Sequence, residues 1–202
     1  MDCANRRHIG RLLSRRSTAP GVQQGGRKVR KTAIGFVLML SVLPAWAQTD
    51  IERCLGHDTE VSISGCTAVI LSKGKGLPNF LLQDAYRRRG LVYLQQKKLY
   101  DEAIADLTST IALKPEPQDM AVAYTLRGIA YYMKHFFDKA IADTTQAIAI
   151  APDYADAYNV RGQAYELAGQ PDKAIVDYRT VLKIEPNTKN AKDGLTRLGG
   201  KP

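Results

Sequence analysis

The sequence predicts an all-α fold: antiparallel helix pairs stacked side by side, opened by an incomplete hairpin and closed by a single capping helix. Three observations carry this. The stretches LRGIAYYMKHFFDKAIAD (residues 126–143) and VRGQAYELAGQPDKAIVD (residues 160–177) are near copies, 34 positions apart. Each copy holds two apolar patterns of helical period, joined by a short polar turn. Pro115, Pro152 and Pro186 close successive copies, and a proline cannot continue a helical hydrogen-bond ladder.

The first 47 residues precede this pattern and read as a leader. Of the formal charge of +9, nine Lys or Arg and the single acid Asp2 lie in residues 1–47, so the other 155 residues hold 20 basic and 19 acidic side chains. The folded part is nearly neutral, which argues against a nucleic-acid partner. Arg27, Lys28, Arg30 and Lys31 form a positive n-region, residues 32–43 an apolar h-region, and Ala45-Trp46-Ala47 a small-x-small cleavage site. Cleavage after Ala47 leaves Gln48 first, and twelve apolar residues are too few for a membrane span, which needs about 20. The predicted location is periplasmic or secreted; the alternative is a short uncleaved anchor. The 26 residues ahead of the n-region suggest a start further downstream, at Val22 or Val29.

Residues 48–79 predict a degenerate hairpin. Residues 51–56 form a shortened first helix, and SISGCTAVIL (residues 62–71) aligns with the second-helix pattern of residues 140–149. Cys54 and Cys66 are the only cysteines after the leader, an even pair in an exported chain; a disulfide is predicted, with two buried free thiols as the alternative. A Cys-x11-Cys spacing beside His57 has neither the spacing nor the ligand number of a zinc site. Lys73-Gly74-Lys75-Gly76-Leu77-Pro78 is a linker by composition.

Three full helix pairs follow over residues 80–186. The first carries one extra residue before Ala103 and is joined to the second by a long link, residues 115–119. In each first helix Tyr, Gly and Tyr recur at i, i+4 and i+7, one face of a helix, with the glycine admitting a close neighbour. Each second helix opens near an acid (Asp101, Asp138, Asp172) suited to the positive end of the helix dipole. Residues 187–202 form a capping helix with a one-sided stripe of Ala191, Leu195 and Leu198, ended by Gly199-Gly200.

Tyr86, Gly90, Tyr93, Ala103, Ile111 and Pro115, then Tyr124, Gly128, Tyr131, Ala140, Ala147 and Pro152, then Tyr158, Gly162, Tyr165, Ala174, Val181 and Pro186 recur in register. With this 34-residue period the chain resembles the tetratricopeptide repeat family. The resemblance implies a right-handed superhelical stack (an α-solenoid) whose first helices line a concave groove that holds an extended or helical peptide. The groove positions it implies are Arg87, Leu91, Leu94, Thr125, Ile129, Tyr132, Met133, Asn159, Gln163 and Glu166. Some members grip a C-terminal carboxylate with a Lys/Asn/Arg set; Asn159 and Arg87 are present here, the full set is not.

The other candidate constellations read as structure. Tyr86, Tyr93, Tyr124, Tyr131, Tyr158, Tyr165 and Tyr178 fall at packing positions, whereas Tyr132 is turned from its neighbour by about 100°. Arg89 with Asp106, Arg127 with Asp143, and Arg161 with Asp177 repeat as salt bridges between packed helices. His135 sits in a turn, and no nucleophile, metal or phosphate motif accompanies it or His57. The functional expectation is an exported scaffold that binds a protein or peptide, with no cofactor and no catalysis. A self-assembling module and a helical regulatory subunit of an envelope enzyme are the alternatives.

Overall fold

A computed structural model of the chain describes Leu43 and residues 45–56, 58–73 and 75–200. The n-region and residues 32–42 of the h-region, Pro44, and His57 lie outside the described residues. Among the described residues there are nine α-helices, one π-helical turn and no strand. The chain divides into two compact units, residues 1–85 and 86–202.

In the first unit α1 (Ala45–Leu55) and α2 (Thr59–Leu71) form the hairpin. The reversal is tight, and Asp58 caps α2, its Oδ1 accepting a hydrogen bond from the Val61 amide at 2.9 Å. The first helix is longer than its sequence pattern suggests. It begins at Ala45, so Ala45-Trp46-Ala47 forms its opening turn, and Ala47, Ile51 and Cys54 line its buried face at i, i+4 and i+7. A disulfide joins Cys54 to Cys66. Gly65 makes that approach possible, since a Cβ there would fall 2.6 Å from the Arg53 Cβ. Ser62 adds a bond across the hairpin, its hydroxyl donating to the Cys54 carbonyl at 2.9 Å. Val69, Leu77, Leu81 and Ala85 complete this core, the last two on the first half of α3 (Asn79–Val92).

The second unit begins within α3 and contains the three repeats. Their second helices are α4 (Tyr100–Ala112), α6 (Phe137–Ile150) and α8 (Pro171–Ile184). The remaining first helices are α5 (Pro117–Met133) and α7 (Ala155–Leu167), and α9 (Lys189–Arg197) is the cap. Short turns make each pair antiparallel. The long link before the second repeat is taken up by α5 itself, which starts at Pro117, where a missing amide hydrogen costs nothing.

The three turns inside the repeats share one device. A residue in the left-handed conformation (Lys98 at φ 53°, His135 at φ 62°, Gly169 at φ 72°) ends each first helix. The following amide then donates back to the second signature tyrosine: Phe136 to the Tyr131 carbonyl and Gln170 to the Tyr165 carbonyl, both at 2.9 Å. In the first repeat Leu99 makes the equivalent bond to Tyr93 at 3.0 Å, one residue further along the chain. The extra residue counted in the sequence is absorbed by a π-helical turn, Tyr93–Lys97.

The signature glycines face a second helix at close range. A Cβ on Gly90 would meet Leu107, one on Gly128 would meet Thr144, and one on Gly162 would lie 2.9 Å from the Tyr178 ring. Beside each glycine an arginine grips an aspartate bidentately. Arg89 bonds Asp106 at 2.8 and 2.8 Å, Arg127 bonds Asp143 at 2.7 and 2.8 Å, and Arg161 bonds Asp177 at 2.8 and 2.8 Å. Hydrogen bonding to the aspartate raises each guanidinium's pKa above its ordinary value, although burial acts the other way. The third nitrogen reaches back a repeat: Arg127 Nη1 donates to Thr108 Oγ1 at 2.9 Å, and Arg161 Nη1 to Thr145 Oγ1 at 3.1 Å. Each of these two arginines therefore ties three helices in register.

Candidate partner-binding groove

The first helices α3, α5 and α7, with the π-helical turn that follows α3, carry the ten positions expected to line a groove, and they divide into three groups. Arg87, Leu91, Tyr132, Met133 and Gln163 are half-buried, with part of each side chain open to solvent. Leu94, Thr125, Ile129 and Asn159 are buried, at 3%, 1%, 4% and 1% exposure, and offer no surface to a partner. Glu166 is half-buried and already engaged.

Small residues lie close to part of the buried group in sequence, Ala121 before Thr125 and Ala157 before Asn159. Ala121, Ala147 and Ala157 are fully or almost fully enclosed between the second and third repeats, against Tyr124, Ile148 and Tyr154. Alanines let neighbouring helices approach closely. Thr125 uses its hydroxyl inside its own helix, donating to the Ala121 carbonyl at 2.9 Å. Tyr154 belongs to the same seam. Burial foremost, with Asp156 adding to it, pushes its phenol well above the usual tyrosine range, and Arg87 works in the opposite sense.

Tyr132 is half-buried, as is its neighbour Tyr131. Its ring lies 6.0 Å from that of Phe137 across the turn, and His135 packs edge-on against the same phenylalanine at 5.7 Å. Burial chiefly, and then the Glu166 carboxylate, raises the Tyr132 phenol; the Arg197 guanidinium lowers it. Those partners place Tyr132 within electrostatic reach of the end of α7.

At that end Glu166 accepts three hydrogen bonds. Tyr178 donates its hydroxyl at 2.7 Å, and Arg197 of the capping helix donates Nε at 2.9 Å and Nη2 at 3.0 Å. Burial would raise this carboxyl, but the bonds from Arg197 and Tyr178 outweigh it and hold it below the ordinary 4.5. Tyr178 itself is fully buried, with Gly162 against one edge of its ring and Gly194 against the other; a Cβ at Gly194 would fall 2.6 Å from the Tyr178 Cζ. Burial, then its bond to Glu166, pushes the Tyr178 phenol far above its usual range.

Sequence reasoning found the Arg–Asp rungs, the packing role of Tyr178 and the exposure of His135. It missed Thr108, Thr145, Gly194 and Arg197. The threonines carry a readable signal, because they stand 37 apart, the same interval as Asp106 and Asp143. Gly194 and Arg197 have no counterpart in the repeats, so periodicity gives no pointer to them. The described residues hold no cluster of acids, histidines and cysteines arranged for a metal. Among them no helix is long and apolar enough to cross a membrane.

A family model described as "Tetratricopeptide repeat" matches residues 155–188. Among curated proteins, none matches the chain in sequence. Among solved structures, the chain is similar to the first tetratricopeptide domain of Spaghetti (RPAP3) bound to the HSP90 peptide SRMEEVD. The identity is 32%, over 58% of this chain and 92% of that one, with a TM-score of 0.54. It is similar to the second such domain of human RPAP3, in complex with the HSP70 peptide SGPTIEEVD, at 29% identity over 61% of this chain and 100% of that one (TM-score 0.56). It is also similar to the tetratricopeptide domain of Arabidopsis OM64, at 28% identity over 60% of this chain and 98% of that one (TM-score 0.57). Repeat period, glycine-faced helix pairs and these likenesses agree: the chain belongs to the tetratricopeptide repeat family.

Proposed function

We propose that the protein is an exported scaffold whose second unit binds a protein or peptide segment along its first helices and performs no chemistry of its own. The observation that carries this is the set of half-buried side chains on successive first helices: Arg87 and Leu91 on α3, Tyr132 and Met133 on α5, and Gln163 on α7. Apolar area with a few polar atoms, held on a stiff stack, fits a segment laid across it. Two similar domains are solved with peptides, of HSP90 and of HSP70, which supports the same use here. The leader pattern and the Cys54–Cys66 disulfide support export, since disulfides persist outside the reducing cytosol.

The experiment is a cross-linked pulldown from an envelope fraction with the oxidised full chain as bait and a Tyr132→Ala/Met133→Ala chain as control. A partner captured by the first and lost by the second supports the groove. Capture indifferent to the two substitutions moves the site to another surface, and recovery of the bait alone favours self-assembly.

A further inference from the structure

The Glu166–Arg197 pair differs from the three Arg–Asp rungs in one respect. In the three rungs the arginine side chains are 16%, 16% and 17% exposed and their aspartates 6%, 10% and 4%. Arg197 is 56% exposed, while Glu166 beneath it is 18% exposed. The carboxylate is thus fixed from inside the fold by Tyr178, and the guanidinium above it is supplied from the solvent side by the last residue of a nine-residue helix. An exposed pair of this kind is weakly held, whereas an ionised carboxylate left enclosed without a partner is costly. The site therefore requires a cation, and the one it has is easily exchanged. Tyr132 on α5 is half-buried, its ring 6.0 Å from that of Phe137, and it responds to both charges. Tyrosine faces elsewhere in the unit already receive guanidinium groups, Arg127 over Tyr124 at 5.5 Å and Arg161 over Tyr158 at 5.5 Å.

We propose that the groove selects an arginine side chain of its partner, which enters beside Tyr132 and replaces Arg197 in the bidentate pair with Glu166. Arg197 is then an internal occupant of the specificity site, and its helix competes with the partner. Arginine is preferred over lysine because the planar fork meets both carboxylate oxygens at once and stacks on the ring. This rests on the groove reading above.

The probes are pools of capped decapeptides with randomised flanks and one fixed central residue: arginine, its neutral isostere citrulline, lysine or glutamate. Binding to the labelled, oxidised full chain is measured for the native sequence, Arg197→Ala, Glu166→Gln, the double variant and Tyr132→Ala, each checked for helix content and melting. Arg197→Ala removes an exposed side chain and leaves Glu166 held by Tyr178 alone, so its helix content and melting are compared with the native chain before binding is read. It should retain the arginine pool about tenfold better than the citrulline pool, and more strongly than the native chain does. Glu166→Gln should erase that preference in both backgrounds. Equal retention of arginine and citrulline by Arg197→Ala, a preference for glutamate, or a preference that survives Glu166→Gln would each overturn the proposal. Retention without preference that falls with Tyr132→Ala overturns the arginine reading and keeps the groove. No retention of any pool overturns both.

Discussion

Tyr178 shows how much of the C-terminal packing rests on single side chains. Its ring is enclosed on both edges by positions where nothing larger than hydrogen fits, Gly162 on α7 and Gly194 on α9. Gly194→Ala should therefore push α9 off the stack, costing about 1–3 kcal/mol by overpacking. Chemical denaturation would measure it, with Gly199→Ala, at φ 70° and with nothing within 4 Å, reporting a left-handed backbone penalty in place of a steric one. The same residues set a pH response. Because Glu166 has a folded-state pKa below its ordinary 4.5, the stability it contributes is fully present above pH 4.5 and disappears as pH falls through the lower folded value. An acid titration followed by amide signals of α9 should show the cap loosening below that pH, and Glu166→Gln should flatten the response. At this scale the sequence was legible where a feature was written three times. The Arg–Asp rungs could be read because three copies hold the same interval between partners to within one residue, whereas Arg197 and Gly194 occur once and needed coordinates.

At the scale of elements, the first repeat shows where counting residues stops being enough. The extra residue before Ala103 is plain in the sequence, but two outcomes fit it: a longer turn or an over-wide helical turn. The structure takes the second, and keeps the tyrosine-to-turn hydrogen bond at 3.0 Å by doing so. Deleting Lys97 should convert Tyr93–Lys97 into the α-helical end seen in the other two repeats. The expected result is an intact fold with stability changed by at most about 1 kcal/mol, since the substitution of one end geometry for another leaves every apolar contact in place. Melting and helix content of the deletion variant would check it; loss of the native fold would show that the π-turn is required. Burial was the harder quantity. Thr125 and Asn159 occupy groove positions by register, yet they are enclosed, close in sequence to the buried Ala121 and Ala157. Register is a property of one chain segment, and inter-helix spacing is a property of several side chains at once.

For the whole molecule, the two units are secured by different means. The first has a small core of two alanines, two leucines, Ile51 and Val69 together with one covalent cross-link, Cys54–Cys66, across 12 residues. A loop of that size is worth on the order of 3 kcal/mol in the chain-entropy account. The second relies on repetition, with the same glycine contact and the same rung in each pair. Replacing both cysteines by serine should therefore accelerate amide exchange in α1 and α2 by two orders of magnitude or so, and leave α7 and α8 protected, because in a repeat array each unit is stabilised chiefly by its neighbours. Exchange monitored by mass spectrometry separates the two regions; uniform loss of protection would show that the hairpin holds the entire array.

The threonine contacts of Arg127 and Arg161 also bear on how a further repeat could be added. Thr108 and Thr145 receive the arginine of the following repeat, but the residue 34 positions after Thr145 is Arg179, and where the next arginine would stand the cap has Leu195. A further copy of residues 155–188 spliced in after residue 188 would bring its own arginine against Arg179, like charge facing like. An added copy would thus meet a charge where the earlier repeats meet a hydroxyl, and Arg179→Thr would restore the hydroxyl.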